Sequence, residues 1–325
     1  MSEITEPILL DSTGQTLIQK LHNQNLLLQA IAGTGIIEEF DNFAEVSAVV
    51  KSNDASRIFP VGYQFNVKYK ATSGTEYDMP WRVVGFDPVT LADGSVVPAL
   101  WLQSVYATLE GVQFDVPEPG NTLGSGGAKD SNVASYGYNR WSESGIRAWL
   151  NSDAATNGWW GSQFERGGEM ITRREADVAP TQLSSIQGFM KGLPKDFTDV
   201  LGKIKVQTSC NTVTDGGVTD VTYDKIFLPS LEQMYGTPQA SGIEGNAWDY
   251  WKQALGISSP ASYHPSTYEA YKTYALENHS SAQYCRLRSA HRGYSYNTWY
   301  VSPTGYLNAY GAYDSFRCAP ACVVI

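Results

Sequence analysis

Residues 285–325 read CRLRSAHRGYSYNTWYVSPTGYLNAYGAYDSFRCAPACVVI. Short apolar runs around Leu287, Trp299-Tyr300-Val301 and Leu307 are separated by Gly293, Gly305 and Gly311, the pattern of strands joined by turns. The closing Ala321-Cys322-Val323-Val324-Ile325 is apolar throughout, so it is expected as a buried strand near the middle of a small sheet. These 41 residues contain no Lys, Glu, Gln or Met, although the chain holds 48 of them. By length about six would fall here, and random placement would leave the segment empty roughly once in several hundred trials. The same segment holds six Tyr, four Ser, three Gly and two Asn, the mixture of rigid amphipathic rings and small polar groups that paratopes use. Randomised adenines in AAC or AAT codons would also give this composition. Such codons never encode Lys, Glu, Gln, Met or Trp, which makes Trp299 a framework position.

Outward from this segment the pattern is mixed. Phe65, Val67 and Tyr69 alternate with Asn66, Lys68 and Lys70, predicting a half-buried strand. Residues 81–86 and 99–102 read as its partners, and strands are expected from about residue 41 onward. Ser142 is placed to cap a helix that buries Ile146, Trp149 and Leu150 and closes at Asn151. Gly120–Gly127 is a loop, residues 181–204 suggest two short helices, residues 226–229 a short strand, and residues 264–284 weak helix. Helices interrupt strands irregularly and no long repeat is visible, so the class is α+β, with one domain over residues 41–325. In residues 1–40, Ile18 and Asn25 at a and Leu21 and Leu28 at d give two heptads. They predict a short helical stem, either self-associating or packed on its own domain.

Composition excludes several classes. The 325 residues carry 23 Lys and Arg against 33 Asp and Glu, a net charge of −10, which argues against nucleic-acid binding. No apolar stretch suits a membrane span, and the acidic opening residues do not resemble a secretory leader. With four His, no Gly-x-Ser-x-Gly elbow and no phosphate loop, nothing marks a catalytic site, and none is expected. Glu143 and Glu165 read as solvated faces. Cys318 and Cys322 would share one face if both lay in a strand. With Cys210 and Cys285 they read as buried structural thiols, with a metal or redox role as the alternative; no metal site and no cofactor are expected.

In combination, Leu287-Arg288-Ser289-Ala290, Trp299-Tyr300-Val301, Gly305-Tyr306-Leu307 and Arg317 to Ile325 resemble the variable region of proteins diversified by diversity-generating retroelements. Upstream, Trp81 to Val84, Trp141 to Asn151 and Asp224 to Glu232 resemble a related lectin-like domain of gut bacteria and their phages. The resemblance covers roughly residues 41–325. It implies a C-type-lectin-like fold and a receptor-binding, host-attachment role in a phage or prophage tail. A homotrimer would bind a bacterial cell-surface receptor, and the stem would join other tail proteins. A virion protein released by lysis needs no signal peptide. Glu118-Pro119-Gly120 departs from the triplets of calcium-dependent lectins, so calcium-mediated sugar binding is not expected. A formylglycine-generating type of oxidoreductase, or a bacterial surface adhesin, is the alternative.

The resemblance also assigns residues. Leu287, Arg288, Ser289, Trp299, Val301, Gly305, Leu307, Arg317, Ala319 and Pro320 would be framework. His291, Arg292, Tyr294, Tyr296, Asn297, Tyr300, Thr304, Tyr306, Asn308, Tyr310, Tyr313, Asp314 and Phe316 would bind ligand. Most of these thirteen are expected to be exposed and to converge on one face.

Overall fold

The structure, a computed structural model, describes residues 40, 42–118, 130–174, 177–236, 242–255 and 269–325. The stem expected over residues 1–40, apart from Phe40, lies outside the described residues, as does the glycine-rich stretch 120–127. In chain order the elements that matter are α1 (Phe43–Lys51), β1 (Gln64–Lys70), β2 (Glu76–Gly85), β3 (Leu100–Ser104), α2 (Ser131–Tyr136) and α3 (Gly145–Leu150). They are followed by β4 (Ile204–Ser209), β5 (Thr219–Asp224), β6 (Ile226–Phe227), β7 (Cys285–Ala290), β8 (Asn297–Val301), β9 (Leu307–Gly311) and β10 (Ala321–Val324). The chain is therefore α+β, mostly sheet with short helices.

β1 buries Phe65, Val67 and Tyr69 and exposes the residues between them, as the period-two alternation predicts. It opens a five-stranded antiparallel sheet of order β1-β2-β3-β10-β6. Of the expected run 81–86, Trp81 and Arg82 do pair with β1, whereas β3 pairs with β2, so only one of the two expected partners touches β1. Of the terminal run, Ala321–Val324 form β10, which is fully buried and fourth of five in the sheet, with Val323 opposite Trp101 and Cys322 opposite Ile226, while Ile325 is half-buried. A second, three-stranded antiparallel sheet β7-β8-β9 carries the segment that opened the sequence reading. One apolar cluster runs through residues from Val46 to Val324.

Three local expectations are corrected. A helix, α1, precedes the first strand: Asn42 caps it by accepting the Glu45 amide at 3.2 Å, and Val46, Val49 and Val50 bury one side. The cap of α3 is Ser144, which accepts the Arg147 amide at 3.3 Å, while Ser142 sits in the single turn of 3₁₀-helix before it. Ile146, Trp149 and Leu150 are buried and Asn151 closes the helix as expected. Within 269–284 the chain forms a 3₁₀ turn and a two-residue strand pair, Thr273–Tyr274 with Ala282–Gln283, instead of weak helix.

Glu143 and Glu165 are not solvated faces. Their side chains are 12% and 14% exposed, and each lies against arginines: Glu143 against Arg166 at 2.8 Å and Arg174 at 3.1 Å, Glu165 against Arg147 at 3.4 Å. Arg147 reaches Asp224 at 2.7 Å and Arg140 reaches Asp220 at 3.0 Å, so a buried ion network braces α3 against β5. Burial of such carboxylates is tolerable because each is paired and hydrogen-bonded.

Candidate functional site

The β7-β8-β9 sheet separates its residues by pleat. Thr298 opposes Tyr310, Tyr300 opposes Asn308, and Arg286 opposes Tyr300, so these five side chains share one side. Leu287, Trp299, Val301 and Leu307 belong to the core cluster instead. Nine of the ten expected framework residues are buried; the tenth, Arg317, is half-buried and grips Glu277 through two bonds of 2.7 and 2.8 Å.

Of the thirteen expected ligand residues, Tyr294, Thr304, Asn308 and Tyr310 are exposed. His291, Arg292, Tyr296, Asn297, Tyr306, Tyr313, Asp314 and Phe316 are half-buried. Tyr300 is buried, at 7% exposure, because Tyr284 and Phe316 pack on it at 5.6 and 5.0 Å. Most are thus partly covered rather than fully exposed. Over the sheet, Tyr284, Tyr300, Tyr310 and Phe316 form one group of rings. At the end of the hairpin, Trp299, His291, Tyr294, Tyr296, Tyr136 and Tyr313 form a continuous string with centroids 4.8–5.7 Å apart. The Asp314 carboxylate, and after it burial and the nearby Tyr310 phenol, raise the Tyr313 pKa, so Tyr313 lies within electrostatic reach of the first ring group.

Three residues depart from this assembly. Thr304 and Tyr306 lie on the turn at the opposite end of the β8-β9 hairpin, beside Gly305 at φ +77°. Arg292 is turned to another loop, donating to the Cys210 carbonyl at 3.1 Å.

Two buried side chains position the rings. Asn139, wholly buried, donates through Nδ2 to the carbonyls of Tyr294 and Asn297 at 2.6 and 2.8 Å and to that of His291 at 3.4 Å. Its Oδ1 accepts from Asn211 Nδ2 at 3.0 Å, which fixes the amide orientation. Arg286, also wholly buried, donates to Thr298 Oγ1 at 2.7 Å and to the carbonyls of Tyr310, Gly311 and Asp314 at 3.3, 3.0 and 2.9 Å. Its guanidinium lies 4.3 Å from the Phe316 ring centroid. Burial pushes the Arg286 pKa down to about 9, and burial likewise raises the Asp314 carboxyl. Burial also lowers the His291 pKa, so the imidazole is neutral at neutral pH, with Nδ1 accepting the Gly293 amide at 3.2 Å.

Sequence reading did not find Tyr136, Tyr284, Asn139 or Arg286. Tyr136 and Tyr284 are 40% and 46% exposed and complete the two ring groups, but both stand outside the compositionally unusual segment. Arg286 stands inside it, in a strand whose every residue is buried, and only the fold reveals its carbonyl partners.

All four cysteines are free and buried, and Cys318 precedes β10 instead of lying in it, so strand spacing does not relate it to Cys322. Burial pushes the Cys285 thiol up to about 12 and raises the other three. Among the described residues no group of three His, Cys, Asp or Glu is arranged to hold a metal ion, and no helix is long and apolar enough to cross a membrane.

No curated protein and no solved structure matches the chain. One family pattern, described as a domain of unknown function (DUF6273), matches residues 119–324. That span is more than half of the chain and includes the buried ion network, Asn139 and the whole ring-bearing sheet, so the chain belongs to the DUF6273 family.

Proposed function

We propose that this protein is a non-enzymatic receptor-binding protein of a phage or prophage tail. It would display a diversified ligand-binding face on a C-type-lectin-like scaffold. The observation that carries the reading is the division of labour in residues 285–317. Half-exposed rings occupy the surface, while Asn139 and Arg286 hold main-chain carbonyls beneath them. Rigid aromatic contact area on a preorganised backbone limits the entropy lost on binding. Multivalent attachment to a bacterial surface would suit a homotrimer assembled through residues 1–40, with that stem also joining other tail proteins. The thiols favour binding over a formylglycine-type oxidoreductase: each is buried with its pKa raised, so little thiolate is available as a nucleophile.

The deciding experiment replaces Tyr294, Tyr296, Tyr306 and Tyr310 together with Ser and screens the full chain against an array of bacterial surface glycans and proteins. Loss of array binding at an unchanged melting temperature supports the reading. Binding that survives the four substitutions, or a melting temperature that collapses with them, overturns it. A near-copy of the 285–325 coding segment beside a reverse-transcriptase gene is the corresponding genetic expectation. Light scattering on the full chain and on residues 41–325 tests the trimer, which a monomer in both cases would exclude.

A further inference from the structure

Away from the ring-bearing sheet, α3, the hairpin of Gln163–Arg166 with Glu169–Thr172, and the chain around Lys225 enclose a cleft of 520 Å³. That volume suits a small molecule. Its wall is part apolar, with Trp159, Phe164 and Met170, and part basic, with Arg147, Arg173, Lys203 and Lys225.

The basic groups differ in what they hold. Arg147 is committed to Asp224 at 2.7 Å and Glu165 at 3.4 Å. Arg173 pairs with no carboxylate among the described residues. It stacks 3.4 Å from the Trp160 ring centroid and donates only to the carbonyls of Gly161 at 2.8 Å and Glu143 at 3.3 Å. Burial pushes its pKa down to about 10, against the opposing pull of the Asp177, Asp115 and Glu143 carboxylates, none of which pairs with it directly. Lys225 donates to a single carbonyl, that of Thr198, and Lys203 stands 54% exposed and 4.0 Å from an already occupied Glu165 oxygen. Ser142 Oγ, on the same wall, is buried and has no hydrogen-bond partner among the described residues. Against these the cleft offers one further carboxylate, Asp153. A cleft with surplus positive charge, in a chain of net charge −10, is set up to concentrate anions.

We propose that this cleft is a second binding site, distinct from the aromatic face, for a small organic anion whose carboxylate or phosphate head meets Arg173, Lys203 and Lys225 while its apolar body lies against Trp159, Phe164 and Met170. The site goes beyond the receptor-binding reading and does not depend on it.

Calorimetric titration of the full chain with phenyl phosphate, benzoate, inorganic phosphate and neutral benzyl alcohol tests it. Phenyl phosphate or benzoate should bind saturably and more tightly than inorganic phosphate, with benzyl alcohol weakest. Which of the two binds identifies the head group. Lys203→Glu, at an exposed position, should weaken binding by about tenfold or more. Arg173→Gln should weaken it further, and the pair Tyr294→Ser with Tyr310→Ser should leave it unchanged. The proposal fails if neither aryl anion binds saturably to the folded chain, if benzyl alcohol binds as tightly, or if Lys203→Glu has no effect.

Discussion

Replacing Arg286 with Met tests how the ring-bearing loop is held. Met fills much of the same stem volume without a donor, so it isolates the guanidinium. The substitution removes four hydrogen bonds, of which those to Thr298 Oγ1 and the Gly311 carbonyl are wholly buried and those to Tyr310 and Asp314 are partly so. A buried acceptor left without a donor costs about 1–3 kcal/mol, and the partly buried ones can recover water. Removing a buried cation relieves its own desolvation, which offsets part of the loss. The expected net destabilisation is about 2–4 kcal/mol, or roughly 3–7 °C in melting temperature for a domain of this size. The damage should concentrate on the segment from Tyr310 to Phe316, where the Ala312 amide donates to the Tyr296 carbonyl at 2.7 Å and the Tyr313 amide to the Tyr136 carbonyl at 3.0 Å. Hydrogen exchange followed by mass spectrometry should show these amides exchanging faster, and Arg286→Lys should fall between the wild type and Arg286→Met. A melting temperature within about 1 °C of the wild type, with unchanged exchange at Ala312 and Tyr313, would refute the assignment of Arg286 as the brace.

Asn139→Ala should lower stability by about 1–3 kcal/mol and loosen residues 291–297, and Asn139→Asp should cost more because it sets a carboxylate against their carbonyls; chemical denaturation ranks the two. Burial pushes Glu118 up to about 8 from 4.5, so the folded chain keeps a proton that the unfolded chain releases. Stability from this group is complete below pH 4.5 and lost as pH rises through 8; melting curves across that window should show Glu118→Gln gaining on the wild type as pH rises. The four thiols should resist a thiol reagent in the native chain and react together on unfolding, and a thiol modified promptly under native conditions would contradict their burial.

What the sequence makes legible follows from the range of the interactions. The alternation of β1 and the apolar run of β10 record burial residue by residue, so their strands can be read directly. The spacing of Ile146, Trp149 and Leu150 likewise locates α3, although two serines compete to cap it and the choice rests on how the chain enters the helix. Glu143 and Glu165 mislead because the arginines that neutralise them arrive from other segments: Arg166 and Arg174 lie 23 and 31 residues beyond Glu143. An isolated glutamate reads as solvated until its partners are known. In the candidate site, Leu287, Trp299, Val301, Gly305, Leu307, Ala319 and Pro320 are legible as apolar or turn-forming positions. Arg286 and Asn139 are not, because nothing local shows that a polar side chain is buried against carbonyls 24–28 or 152–158 residues away.

The kind of atom that Asn139 and Arg286 hold has a further consequence. Six of the seven hydrogen bonds that these two side chains donate end on main-chain carbonyls, at His291, Tyr294, Asn297, Tyr310, Gly311 and Asp314; the seventh ends on Thr298 Oγ1, beneath the surface. Every residue type presents the same carbonyl, so exchanging a surface side chain at 294 or 310 leaves these bonds available. The backbone can then keep one conformation while its side chains vary, and each new side chain starts from a surface that is already ordered. Tyr300 marks the limit of that freedom. Buried between Tyr284 and Phe316, it contributes packing as well as surface, and its replacement by Ser should lower the melting temperature where replacement of Tyr294 or Tyr310 does not. A face that is both ordered and tolerant of substitution therefore has to place its variable positions on clasped loops and spare the ring that packs beneath them.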